Sequence, residues 1–145
     1  MLLTATTAAS AGGGIVPQQG IAGLRLGMTE YQVKARVGAP GRVERGKTEI
    51  GAYTTYRYPT HTVTFFAGAR VTQMRTVSPK ERTVNGIGVG SLQGAVGAKV
   101  PGAKCLIEFG YNHCYVGTWK PGRTITDFSI QRGRVARITI GYVID

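Results

Sequence analysis

Leu26-Gly27-Met28-Thr29-Glu30-Tyr31-Gln32-Val33-Lys34-Ala35-Arg36-Val37-Gly38-Ala39-Pro40 reads as a complete, punctuated helix. Thr29 is a good N-cap, because its hydroxyl can accept from a free N–H of the first turn. Gln32, three residues on, completes a capping box. Tyr31, Val33 and Val37 supply the apolar positions. Gly38 ends the helix and Pro40 prevents its resumption.

The same pattern returns later in the chain. Gly90 stands 63 residues after Gly27, and at that offset Val33 falls on Val96, Ala35 on Ala98, Arg36 on Lys99 and Val37 on Val100. Arg70-Val71 falls on Arg134-Val135 at an offset of 64. One residue of slippage across a loop is easily tolerated. Ser91 is the expected N-cap of the second helix, and Leu92, Val96 and Val100 form one face. Gly94 and Gly97 weaken that helix by roughly 1 kcal/mol each relative to Ala, so it must depend on packing. Pro101-Gly102 terminates it.

Strand signals follow each helix. Residues 41–51 are polar and charged, as a loop or ragged hairpin would be. Tyr53 to Tyr58 alternates and is rich in aromatic and β-branched residues. Thr62 to Phe66 and Arg70 to Val77 read as a hairpin turning at Ala67-Gly68-Ala69. Cys105 to Phe109 pairs with Cys114 to Trp119. Arg123 to Ile130 pairs with Arg134 to Val143, turning at Arg132-Gly133. The expected fold is therefore α+β: two tandem helix-plus-antiparallel-sheet units, their sheets adjoining to one curved sheet with helices on one side. Residues 20–79 form the first repeat and 80–145 the second, together one compact domain. Residues 1–19 read as a signal-peptide remnant or a disordered lead-in, since Ala9-Ser10-Ala11 matches the small-x-small pattern before a signal-peptidase cut.

The charge balance bounds the partners. The 145 residues carry 18 Lys and Arg against 7 Asp and Glu, a net charge of +11. This favours an anionic partner or simply gives a solvated basic surface. The basic residues are dispersed, whereas a nucleic-acid tail would show a block of like charge. No window of about 18 apolar residues exists, so no membrane-spanning helix is expected.

Cys105 and Cys114 face each other across the predicted hairpin. A disulfide is expected, given the export signal. Zinc held by Cys105, Cys114, His113 and His61 is the rival, and a Cys nucleophile would need a His oriented by a third group. No metal or cofactor is expected. The acidic residues show no catalytic spacing, and Glu108 and Asp127 read as ion-pair partners for arginines. Gly86-Ile87-Gly88-Val89-Gly90 looks like a phosphate loop but lacks its Lys-Ser/Thr ending. The aromatics cluster on predicted strands, with Arg57, Lys120 and Arg123 interleaved. Such a face suits protein hot spots or base stacking, although strand alternation sends about half of it inwards.

The segment Leu26 to Val33, followed by Val37-Gly38-Ala39-Pro40, resembles the helix signature of the small outer-membrane-assembly lipoproteins of the SmpA/OmlA group. It also resembles the β-lactamase inhibitory proteins (BLIP-like), whose tandem helix-plus-sheet repeats grip a target enzyme. The resemblance implies an architecture and a binding role, and no specific inhibitory residues. The sequence thus points to a secreted or extracytoplasmic, non-enzymatic protein. It would engage a protein or an anionic envelope component through its sheet face, with Tyr56, Tyr58, Tyr111, Trp119 and Arg123 as contacts. A nucleic-acid-binding basic protein and an enzyme are the alternatives.

Overall fold

The computed structural model describes residues 14–144. It contains a two-stranded ribbon, β1 (Ile15–Val16) and β2 (Gly20–Ile21), then α1 (Glu30–Val37) and four strands. These are β3 (Arg42–Thr48), β4 (Gly51–Arg57), β5 (Thr62–Phe66) and β6 (Val71–Thr76). After α2 (Gln93–Lys99) come β7 (Lys104–Glu108), β8 (Tyr111–Gly117), β9 (Thr124–Gln131) and β10 (Arg134–Tyr142). The eight long strands make one antiparallel sheet in the order β3-β4-β5-β6-β10-β9-β8-β7.

This overturns the expected fold class. The molecule is mostly β, with 48% strand and 11% helix, and it is built on one continuous sheet rather than two helix-plus-sheet tandem units. The central joint is β6 against β10, where Met74 pairs with Ile140 and Thr76 with Ile138. The helices are short because their sequences are: α1 has eight residues and α2 seven. Strand β3, expected only as part of a loop or ragged hairpin, is charged on both faces. It is an edge strand, exposed or half-exposed along its whole length, so no apolar alternation marks it.

Register explains the core. Val43, Tyr56, Val63, Met74, Ile140, Thr126 and Val116 lie opposite one another in a line across seven strands. Tyr56, Val63, Met74, Ile140 and Thr126 in that line are fully buried. Val33 of α1 and Val96 of α2 close over this face, joined by Ile15, Ile21 and Leu24. Burying a side chain of this size stabilises by about 1.5–3 kcal/mol. The ribbon therefore belongs to the fold. Residues 14–19, expected as lead-in, are held by the Ile15 N–H donating to Arg82 O (2.8 Å) and the Gln18 side chain donating to Thr124 O (2.8 Å). The signal-peptide reading falls on residues 1–13, outside the described residues.

Local chemistry follows the sequence at α1 and departs from it at α2. The Thr29 hydroxyl accepts from Gln32 N–H, and the Gln32 side chain accepts from Thr29 N–H. Gly38 sits at φ 83°, the positive region where glycine is favoured. Only Val33 of this helix is buried, and Tyr31 is exposed. At α2 the N-cap is Leu92 and makes no side-chain cap. The Ser91 hydroxyl, expected in that role, instead accepts from Gly88 N–H.

The disulfide is present: Cys105 and Cys114 are direct register partners on β7 and β8. It ties an edge strand to its neighbour beneath α2, and it consumes both thiols of the rival zinc set. Two outcomes follow. Replacing Thr29 and Gln32 by Ala should lower unfolding free energy by about 1 kcal/mol in urea titration. The pair Cys105→Ala/Cys114→Ala should lower it by about 2–3 kcal/mol, since a short closed loop is released.

Candidate functional site

The face of the sheet opposite the helices carries the polar chemistry. One line of register partners crosses all eight strands: Arg42, Arg57, Thr62, Arg75, Thr139, Asp127, Tyr115 and Lys104. Strand alternation dictates this, because the neighbouring line is the buried one. Irregularities at two strands refine it. The register shifts between Val135 and Arg137 on β10, so Val135 and Ile138 both point inwards and Arg137 outwards. A similar shift where β5 meets β6 lets Val71 and Met74 both enter the core, leaving Gln73 and Arg75 on the open face.

Two adjoining hollows result, sharing Gln73 and Arg75. The larger, about 420 Å³, includes Arg57, Tyr58, His61, Thr62 and Thr64. The smaller, about 230 Å³, includes Trp119, Asp127, Arg137 and Thr139. Arg57 is engaged by a forked pair of bonds to Glu44 at 2.9 and 3.0 Å. Arg75 and Arg137 make no ion pair among the described residues. Burial first, and the neighbouring Arg137 charge second, hold the Arg75 guanidinium below its ordinary value. Two guanidiniums against the single carboxylate of Asp127 leave the lining of the smaller hollow net positive, which favours an anion.

An aromatic cluster borders the smaller hollow. His113 is 3% exposed, between Tyr111 (4.7 Å) and Tyr115 (5.4 Å), with Trp119 at 6.1 Å. Its Nδ1 lies 2.5 Å from Asp127 Oδ1 and its Nε2 3.2 Å from Glu108 Oε2. Tyr111 O–H donates to Asp127 Oδ2 at 2.7 Å. Burial pushes the Tyr111 hydroxyl upwards, and the bond to Asp127 adds to that. A general base must offer a free nitrogen to a substrate proton. Here both nitrogens are taken by carboxylates, so the imidazole orients its neighbours.

The expected contact residues divide. Tyr111 and Trp119 stand beside the smaller hollow, and Tyr58 lines the larger one, stacked on His61 at 4.9 Å. Tyr56 is removed from the set. It is fully buried on the core face, its O–H donating to Glu30 Oε1 at 2.5 Å. Arg123 is also elsewhere, in a separate hollow with Gln18 and Lys120. Arg75 and Arg137 were missed, because only the β6–β10 pairing brings them together. The glycine-rich stretch is no anion cradle: the N–H groups of Gly86, Ile87, Gly88 and Gly90 already donate to Thr83, Thr83, Ser91 and Val135.

No family model and no curated protein matches the chain. Four chains of solved structures do, among them the following two. One is an extracellular protein containing a SCP domain from Bacillus anthracis str. Ames, with 11% identity, a TM-score of 0.53, and coverage of 81% of this chain and 44% of that one. The other is a cysteine-rich secretory protein from Staphylococcus aureus subsp. aureus Mu50, with 10% identity, a TM-score of 0.52, and coverage of 87% and 47%. The likeness is one of fold. The chain spans less than half the length of either structure. Neither bears on the SmpA/OmlA or inhibitor resemblance. Among the described residues, no helix is long and apolar enough to cross a membrane.

Tyr56 gives the fold an alkaline limit. Burial first, and the bond to Glu30 second, push its hydroxyl up to about 12 from an ordinary 10.0. The folded state holds this proton more tightly than the unfolded chain does. The associated stability is therefore complete below about pH 10 and is lost as pH rises through about 12. Denaturation midpoints measured from pH 9 to 12 should fall over that window, and less steeply in Tyr56→Phe.

Proposed function

We propose that this chain is an exported, non-enzymatic binding protein that receives an acidic segment of a partner protein across the open face of its sheet. The observation that carries the reading is the row of guanidiniums, Arg57, Arg75 and Arg137, along two adjoining hollows, with neither Arg75 nor Arg137 in an ion pair among the described residues. Guanidinium is the cation suited to forked carboxylate recognition. Tyr111 and Trp119, both exposed, add the aromatic area that interface hot spots use.

The flanks favour protein over nucleic acid or a uniform polyanion. Glu44, Glu108 and Asp127 stand on the same face and would repel a continuous phosphate backbone. A partner of mixed charge can avoid them. Export is supported by the disulfide, which persists in oxidising compartments, and by the extracellular descriptions of both fold neighbours. The non-enzymatic reading is supported by the two carboxylates that occupy His113 and by the absence of a free thiol among the described residues.

Trp119 is the only tryptophan, so its emission reports on this face alone. A synthetic Glu/Asp-rich peptide should change that emission saturably at about 50 mM salt. Arg75→Ala/Arg137→Ala should weaken binding at least tenfold, about 1.4 kcal/mol, with unchanged thermal stability. Equal affinity in the double variant refutes the assignment. Tighter binding of a single-stranded DNA oligomer, falling steeply with salt, would replace it with the nucleic-acid reading.

A further inference from the structure

A second hollow lies away from the open face, among the ribbon, the 80–85 loop, the end of α2 and β8. It measures about 870 Å³, and its lining includes Ile15, Val84, Val100, Pro101 and Val116. Val84 is 99% exposed, an apolar side chain that no other described residue covers. The other part of the lining is cationic: Lys80, Arg82 and Lys99. No carboxylate lines the hollow. Glu81, next in the chain to two of these cations, turns away and accepts from the Thr60 hydroxyl at 3.1 Å. Arg82 is fixed by donation to Gly86 O at 2.8 Å, and Asn85 anchors the loop to α2 by donation to Lys99 O at 3.0 Å.

Volume, apolar lining and unmatched cations select one ligand chemistry. Small-molecule sites are about 300–1,000 Å³, mostly apolar, with a few convergent polar groups. A purely polar anion would leave Val84, Pro101 and Val116 unused, and a neutral hydrocarbon would leave three cations unanswered. We propose that this hollow binds a long-chain fatty acid as a monomer. Its chain lies against Val84, Pro101 and Val116, and its carboxylate sits among Lys80, Arg82 and Lys99. The lysine stems can cover apolar chain while their ammonium groups reach the head, as such side chains commonly do. The site is independent of the guanidinium row.

The test uses the full chain and sodium decanoate, dodecanoate and tetradecanoate below their micellar concentrations, followed by calorimetry. One-to-one saturable binding is expected, strengthening about tenfold for each added pair of methylenes. The methyl ester of tetradecanoic acid should bind at least tenfold more weakly than the acid. Lys80→Gln/Lys99→Gln should weaken tetradecanoate at least tenfold with the melting temperature unchanged. Trp119 emission should not respond, which separates this outcome from that of the open face. Affinity independent of chain length, an unaffected lysine double variant, or binding to anionic vesicles without monomer binding would each overturn the proposal.

Discussion

Thr76 against Ile138, Arg75 against Thr139, Met74 against Ile140 and Gln73 against Gly141 are the pairs on which the molecule turns. They join strands about 60 residues apart in sequence and make one sheet of what would otherwise be two four-stranded ones. Inwards, the joint delivers Met74, Ile138 and Ile140 to the core. Outwards, it delivers Gln73 and Arg75 to the hollows. Because side chains alternate with period two, a slip of one residue here would exchange those sets. Core and candidate site are therefore two consequences of one register. The bulges on β6 and β10 are part of the same arrangement, since each adds a residue to the core without moving the arginines inwards.

How much of this the sequence discloses depends on whether a signal is local. The α1 capping box is a contact within four residues, and Thr29 and Gln32 announce it. Arg132-Gly133 has positive φ at both positions, as a two-residue hairpin turn requires, and a glycine there is a readable mark. The disulfide was legible because its cysteines flank one short turn. Pairing between β6 and β10 has no such local mark. Nor does an edge strand whose two faces both meet water, which is why 42–48 reads no more sharply than a loop or ragged hairpin. Tyr56 and Tyr58 show the limit within one strand and its turn. Both are tyrosines in an alternating run, yet Tyr56 is sealed beneath α1 while Tyr58 lines a hollow. Tyr56 lies inside β4, where alternation sends it to the core face, whereas Tyr58 lies just past the last strand residue, Arg57, where alternation no longer decides its surroundings.

The short helices shape where ligands can lie. A layer of two helices with eight and seven residues cannot roof an eight-stranded sheet. The ribbon and the 80–88 loop complete the cover, linked by Ile15 to Arg82. Their junction with the end of α2 leaves the apolar hollow. On the other side none of the described residues roofs the sheet, and its polar residues satisfy one another in local groups: Arg57 with Glu44, and His113 with Asp127 and Glu108. Arg75 and Arg137 fall between those groups.

An open sheet ends in two rows of backbone donors and acceptors that invite another strand. The chain meets this at both ends. β3 places Arg42, Glu44, Arg45 and Lys47 along one border, so a second copy approaching in register would bring like charges together. At the other border, β7 carries Lys104 and Glu108 and is fastened to β8 through Cys105. The charge that conceals β3 from a hydrophobic reading thus discourages the sheet from growing by strand addition. The borders of this wide sheet are thus guarded by charge and a disulfide, while its middle is left open to another molecule.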